Sequence, residues 1–219
     1  EILYDDDGAV AGVATGDING DGLDDLVGRD TLDATHVFLG PLEGELDAAD
    51  AWLRIMDVGQ GALETSGLAL ADINGDGVAE LHIGAPYAGA SPDRGAVYVF
   101  ESPHGAGRID GPDDASRRLL GADDASPGFT LTTGDFDGDG IEDLVTSDPY
   151  ADTTTASGGL VWILRDGSPE GDSTVSDVTD GLAGTRENGN AGTSLAAGDL
   201  DGDGHDDLVI GAPGSTTVA

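Results

Sequence analysis

Four copies of one nine-residue pattern, Asp-x-Asp/Asn-Gly-Asp-Gly-x-x-Asp/Glu, set the terms for any fold this chain can adopt. They occupy residues 17–25, 72–80, 135–143 and 199–207, with first residues 55, 63 and 64 apart. A period of that length points to stacked or radial supersecondary units. Aspartate and asparagine suit turns for their own reasons, but four copies with acids matched at four positions exceed what turn preference explains.

Each copy places three or four carboxylates at positions one, three, five and nine of a loop too short to hold them without a cation. The spacing offers oxygen ligands along a tight arc: side chains at positions one, three, five and nine, and a main-chain carbonyl at position seven. Calcium accepts six to eight such oxygens, whereas magnesium demands a tighter octahedron and keeps more water. The candidate ligands are therefore Asp17, Asn19, Asp21, Leu23 and Asp25; Asp72, Asn74, Asp76, Val78 and Glu80; Asp135, Asp137, Asp139, Ile141 and Asp143; and Asp199, Asp201, Asp203, His205 and Asp207. Leu23, Val78, Ile141 and His205 enter by their carbonyls, with side chains directed elsewhere. Glycines at positions four and six permit the positive φ that the turn requires. Up to four ions are expected. Asn19 and Asn74 leave the first two loops with three ligand carboxylates against four in the others, so the third and fourth loops should bind more tightly.

An EF-hand opens the same way but needs a bidentate acid at position twelve and a helix on each side. Position twelve here is Gly28, Ile83, Thr146 or Ile210, and none of them chelates. The runs through it, such as Leu81-His82-Ile83, look like strands, so the loop reads as the turn of a β-hairpin.

Runs rich in β-branched and aromatic residues and bounded by Gly, Pro and Asp are strand signals. Phe129-Thr130-Leu131-Thr132-Thr133 enters the third loop, Leu144-Val145-Thr146 leaves it, and Leu160-Val161-Trp162-Ile163-Leu164 follows. The same later strand recurs from His36 to Leu39 and from Ala96 to Phe100. A fourth is expected at residues 52–56, at Arg117-Arg118-Leu119-Leu120 and around Val175 to Val178. Asp47-Ala48-Ala49-Asp50 could form one helical turn, and no longer helix is expected. Four antiparallel strands per repeat make a propeller blade. The expectation is an all-β fold of about three and a half blades, with repeats near 5–56, 57–122, 123–183 and 184–219. Ile2-Leu3-Tyr4 sits where an outer strand should precede the first loop. A closed ring of six to eight such blades needs about 360 to 480 residues, so the chain reads as a fragment of a larger propeller, or one that pairs with another chain.

The net charge of −36 comes from 44 acids against eight arginines, with no lysine. Such a charge repels nucleic acid and anionic membranes, and it would suit a saline habitat that screens it. There are no cysteines, which excludes disulfides and thiolate sites. No apolar run approaches membrane-span length and no export signal is present, so direct membrane insertion is not expected and any such signal lies outside this segment.

Gly198-Asp199-Leu200-Asp201-Gly202-Asp203-Gly204 followed by Asp207-Leu208-Val209-Ile210-Gly211-Ala212-Pro213 resembles the FG-GAP repeat of integrin α-subunit propellers, and Gly84-Ala85-Pro86 repeats the terminal motif. The resemblance implies a β-propeller, usually of seven blades, with calcium held in the hairpin between the first two strands of certain blades. Prokaryotic secreted and surface proteins carry similar repeats. The Phe-Gly pair becomes Ala9-Val10, Glu64-Thr65, Pro127-Gly128 and Ala191-Gly192, while Gly-Ala-Pro becomes Arg29-Asp30-Thr31 and Ser147-Asp148-Pro149. These departures spare the metal loops and bear on the packing of blades one and three.

Catalytic signals are missing. His36, His82, His104 and His205 are scattered, and neither a Gly-x-Ser-x-Gly elbow nor a cysteine nucleophile occurs. Tyr87 and Tyr150 each follow a proline and read either as packing between blades, the stronger reading, or as platforms for a ligand. The function expected is a non-catalytic, calcium-stabilised propeller, extracellular or at the cell surface, that serves adhesion or recognition of a protein or carbohydrate ligand. The alternative is an accessory or scaffold propeller in a larger secreted enzyme acting on polysaccharide or lipid.

Overall fold

The computed structural model of the chain describes residues 3–4, 10–30, 34–56, 67–89, 95–101, 106–122, 124–165, 171–178 and 180–215. Ile2, Ala9, Thr31, Glu64, Thr65 and His104 lie outside them. Among the described residues there are eighteen strands, four single-turn 3-10 helices and no α-helix. In chain order the strands are β1 Leu3–Tyr4, β2 Val10–Gly16, β3 Asp25–Asp30, β4 Ala34–Phe38, β5 Glu45–Leu46, β6 Leu53–Met56, β7 Leu68–Ala71, β8 Glu80–Ala85 and β9 Ala96–Phe100. They continue with β10 Gly107–Ile109, β11 Arg117–Leu120, β12 Leu131–Gly134, β13 Asp143–Asp148, β14 Leu160–Leu164, β15 Asp172–Thr174, β16 Asp180–Ala183, β17 Ser194–Gly198 and β18 Asp207–Gly211.

Three antiparallel meanders of four strands, β2-β3-β4-β6, β7-β8-β9-β11 and β12-β13-β14-β16, are followed by the hairpin β17-β18. The innermost strands β2, β7, β12 and β17 lie side by side, the radial arrangement of propeller blades. The fold is all-β, with three blades and the first half of a fourth. Gly28, Ile83, Thr146 and Ile210 sit within β3, β8, β13 and β18, so each acidic loop turns a hairpin between the first two strands of its blade.

Because a strand turns successive side chains to opposite faces, a blade between two others must be apolar on both. The strands β8 and β9 are buried along their whole length. Tyr98 and Phe100 pack with Val27, Val37 and Ile55 of the first blade. Val97 and Leu119 face the third blade, joining Leu131, Leu144 and Trp162. Truncating such a residue to alanine costs about 2–5 kcal/mol.

Pairing of a kind that strand propensity did not foreshadow ties the blades together. In each complete blade the link between the third and fourth strands adds a short parallel strand to the outer edge of the strand before it: β5 to β1, β10 to β6 and β15 to β11. Each added strand is followed by a 3-10 turn, at Ala48–Asp50, Pro112–Asp114 and Val175–Asp177. The last of these corrects the expectation of an outer strand around Val175 to Val178. The carboxylate of Asp177 accepts both the N–H and the hydroxyl of Thr174, which closes the turn and buries Val175. The outer strand is β16 instead, four largely exposed residues that carry no apolar pattern.

Two departures from the Gly-Ala-Pro ending are accommodated by hydrogen bonds. Ser147 donates its hydroxyl to the carbonyl of Gly192 in the next blade at 2.8 Å. The Asp148 carboxylate accepts the N–H groups of Ser126 and Tyr150. In the first blade, Asp30 takes the Ala34 N–H and faces His36 Nε2 at 3.1 Å.

Candidate metal centres

The loops have one local design, and the hydrogen bonds show why the sequence folds that way. The carboxylate at position one curls the backbone around itself: Asp17 accepts the N–H groups of Gly20 at 2.7 Å and Gly22 at 2.7 Å. Asp135 does the same with Gly138 and Gly140, and Asp199 with Gly202 and Gly204. Asp72 takes Asp76 and Gly77. The acid at position nine closes the loop by accepting the N–H of position two, as Asp25 does from Ile18, Glu80 from Ile73, Asp143 from Phe136 and Asp207 from Leu200. Positions four and six have φ between 74° and 93° in all four loops, a region open to glycine and strained for other residues.

Side-chain oxygens converge in the third and fourth loops. One ligand atom from each of Asp135, Asp137 and Asp139 lies within 4.8 Å of the others, and the same holds for Asp199, Asp201 and Asp207. The first two loops differ at the residue that distinguishes them in sequence. The Asn19 amide donates to Asp21 at 3.2 Å, and the Asn74 amide to Glu80 at 2.9 Å, so an amide proton stands where the other loops have a further carboxylate. In the third loop, Arg165 places Nη1 3.4 Å from Asp137 while its Nε holds Asp180.

The electrostatics separate the two ends of the first loop's ligand set. Burial would raise the Asp17 and Asp135 carboxyls, but their N–H donors outweigh it and hold both below the ordinary value. Asp25 moves the other way: burial raises it, with the Gly40 and Ile18 N–H groups opposing and Asp21 and Asp17 adding repulsion. Burial also pushes Glu80 up to about 7, against the Ile73 N–H and with the charges of Asp76, Asp72 and Glu101. A buried carboxyl among like charges is the environment that a bound cation relieves. An all-oxygen donor set with converging carboxylates therefore fits a hard divalent cation.

Position-seven side chains reach the preceding loop. A Cβ placed on Gly20 would stand 3.0 Å from Val78 Cγ2, on Gly75 3.2 Å from Ile141 Cδ1, and on Gly138 2.5 Å from His205 Cε1. Position eight was outside the expected ligand set, yet it joins the loops most directly. The N–H of Ala79 donates to the Asp17 carbonyl at 2.8 Å, Glu142 to Asp72 at 3.4 Å and Asp206 to Asp135 at 2.8 Å. The sequence signal was the acid at two of these positions, masked there by the general wealth of aspartate and glutamate.

The far ends of β8 and β13 form the opposite rim. Tyr87 is 51% and Tyr150 59% exposed, which corrects the reading of these rings as packing between blades. The segment after Pro86 or Pro149 links the second and third strands of its own blade. Tyr150 sets its ring edge-on to Phe129, with centroids 5.3 Å apart. His36 and His82 are buried in β4 and β8, with His36 Nε2 facing Asp30.

A family model described as FG-GAP repeat matches residues 65–100, 127–164 and 191–219. Human integrin alpha-IIb is 34% identical over 163 residues, which is 69% of this chain and 15% of that protein. Rat integrin alpha-7 is 33% identical over 156 residues, 69% of this chain and 13% of that protein. Drosophila integrin alpha-PS2 is 39% identical over 93 residues, 39% of this chain and 6% of that protein. The chain thus spans a small part of these relatives' length. Among solved structures, the rhamnogalacturonan lyase YesW superposes with a TM-score of 0.54 over 93% of this chain and 40% of its own, at 15% identity, a likeness of fold alone. The first blade lies outside the matched residues but repeats the same four-strand meander. The chain contains FG-GAP repeats, and integrin α-subunits are among its relatives.

Proposed function

We propose that this chain is a non-catalytic recognition segment of an extracellular or cell-surface β-propeller, with its acidic loops as calcium sites. The observation that carries this reading is the convergence of carboxylates in the third and fourth loops on hairpins whose shape is already set by N–H donors. Asp135, Asp137, Asp139 and Asp143, with the Ile141 carbonyl, would hold one ion. Asp199, Asp201, Asp203 and Asp207, with the His205 carbonyl, would hold another. The first two loops offer the same positions with Asn19 and Asn74. A bound cation supplies charge neutralisation and fixes the hairpin. The chain's own residues then hold each blade edge in register and leave the opposite rim, with Tyr87 and Tyr150, to meet a protein or carbohydrate.

Relatedness to integrin α-subunits supports a role in recognition and a location outside the cell. Among the described residues no helix is long and apolar enough to cross a membrane. The test is a thermal melt with and without chelator, followed by calorimetric titration with calcium. A ligand that binds only the folded state must raise the midpoint. An unchanged midpoint and no heat of binding would sink the cation reading.

A further inference from the structure

Residue eight of an acidic loop holds residue one of the loop before it. At the junction of blades two and three, Glu142 donates its N–H to the Asp72 carbonyl and accepts the Asp72 N–H on Oε2 at 3.2 Å. At the next junction, Asp206 donates its N–H to the Asp135 carbonyl and accepts the Asp135 N–H on Oδ2 at 3.1 Å. The peptide groups on both sides of the position-one residue are thus gripped from the neighbouring blade. At the first junction residue eight is Ala79, which gives Asp17 the single bond from its N–H.

We propose that Glu142 and Asp206 are positioning residues for the cation loop of the preceding blade, and that they make occupancy of successive loops positively coupled. The inference rests on the calcium reading of the loops. Asp72 and Asp135 supply the position-one carboxylates, and each takes its direction from a backbone whose flanking peptide groups are clamped by the next loop. Residue eight lies between the position-seven carbonyl and the position-nine acid of its own loop. A cation that orders one loop therefore orders the clamp on the loop before it. The position-seven side chain reinforces the connection, since Ile141 packs on Gly75 and His205 on Gly138. Coupling between two binding sites is reciprocal, so filling the preceding loop favours the next one equally. The junction at Ala79 lacks the carboxylate and should couple least.

The test uses the full chain and follows calcium binding loop by loop from the backbone amide signals of Gly22, Gly77, Gly140 and Gly204. Disabling the fourth loop with Asp201→Ala and Asp203→Ala should weaken calcium binding at the third by about fivefold or more, the lower range of measured couplings. In an Asp206→Ala background the same disabling should leave the third loop unaffected. Ala79→Asp keeps the backbone bond to Asp17 and should create coupling between loops one and two. In the cation-free protein, Asp206→Ala should speed hydrogen exchange at the Asp135 amide while leaving the Asp72 amide unchanged, with Glu142→Ala doing the converse. A third-loop affinity that ignores the fourth loop, or an Asp135 amide indifferent to Asp206→Ala, overturns the proposal while the cation reading stands. Should Asp206→Ala fail to fold, absence of new coupling in Ala79→Asp overturns it as well. A wild-type chain that binds no calcium at any loop removes the reading beneath it.

Discussion

Gly84 and Gly128 meet backbone to backbone across the second and third blades: a Cβ on Gly84 would stand 2.1 Å from the Gly128 carbonyl oxygen. Gly128 itself has φ of 103°, and a Cβ there would meet the Ala96 carbonyl oxygen at 2.5 Å. The glycine of one blade's Gly-Ala-Pro thus receives the glycine that opens the next blade. Overpacking of this kind costs about 1–3 kcal/mol, and a left-handed φ adds about 1 kcal/mol for a residue with a Cβ. Gly84→Ala and Gly128→Ala should each lower the urea midpoint, the second more. Gly28→Ala is the control, because a Cβ there meets nothing within 4 Å and its φ is ordinary; it should shift the midpoint little.

On the proposed calcium reading, the Asn19 and Asn74 amides predict a ranking among the loops. Asn19→Asp and Asn74→Asp should each tighten calcium binding at their own loop, and Asp137→Asn and Asp201→Asn should loosen it. A unit charge about 4 Å from a cation is worth ~1 kcal/mol or more even in water-like surroundings, so changes of up to about tenfold are expected. Calorimetry of the single variants measures them, and equal affinities across the set would refute the ranking.

Glu80 should make the cation-free protein sensitive to pH. Burial, opposed by the Ile73 N–H and reinforced by Asp76, Asp72 and Glu101, pushes it up to about 7 from an ordinary value of 4.5. Between those values the folded chain keeps a proton that the unfolded chain has released, so stability falls as pH rises through that window. In chelator the melting temperature should drop from pH 5 to pH 7.5, and Glu80→Gln should flatten the drop. Calcium should restore more stability at pH 7.5 than at pH 5, which melts at the two pH values will show.

Substitution of Tyr87 and Tyr150 tests whether their rings belong to the surface or to the core. Both are exposed, and surface substitutions of this kind usually shift stability by no more than about 0.5 kcal/mol. Tyr87→Ala should stay within that range. Tyr150→Ala also loses the edge-on contact with Phe129, worth about 0.5–1.5 kcal/mol. Urea denaturation of the two variants gives the comparison, and a loss beyond about 2 kcal/mol at Tyr87 would show the ring to be part of the core.

The hairpin loops, their left-handed glycines and the later apolar strands were legible in the residue order. The strands Ala96–Phe100 and Leu160–Leu164 fall where their β-branched and aromatic runs lie. The outer strand Asp180–Ala183 was not legible, because its hydrogen bonds to β14 come from backbone alone and its sequence, Asp-Gly-Leu-Ala, carries no strand signal. Nor were the added strands such as Gly107–Ile109, which exist because the edge of β6 offers unpaired peptide groups.

By itself the sequence determined the acidic loops and the blade plan, because ligand spacing and positive φ are settled within nine consecutive residues and strand patterning within five or six. Only the tertiary structure decided that Asp206 grips Asp135, that Ser147 bonds Gly192 and that Tyr150 faces solvent. The two bonds join residues 71 and 45 positions apart in the chain, and the exposure depends on what the neighbouring blade covers. Such relations exist once blades stack, and no local pattern of residues encodes them.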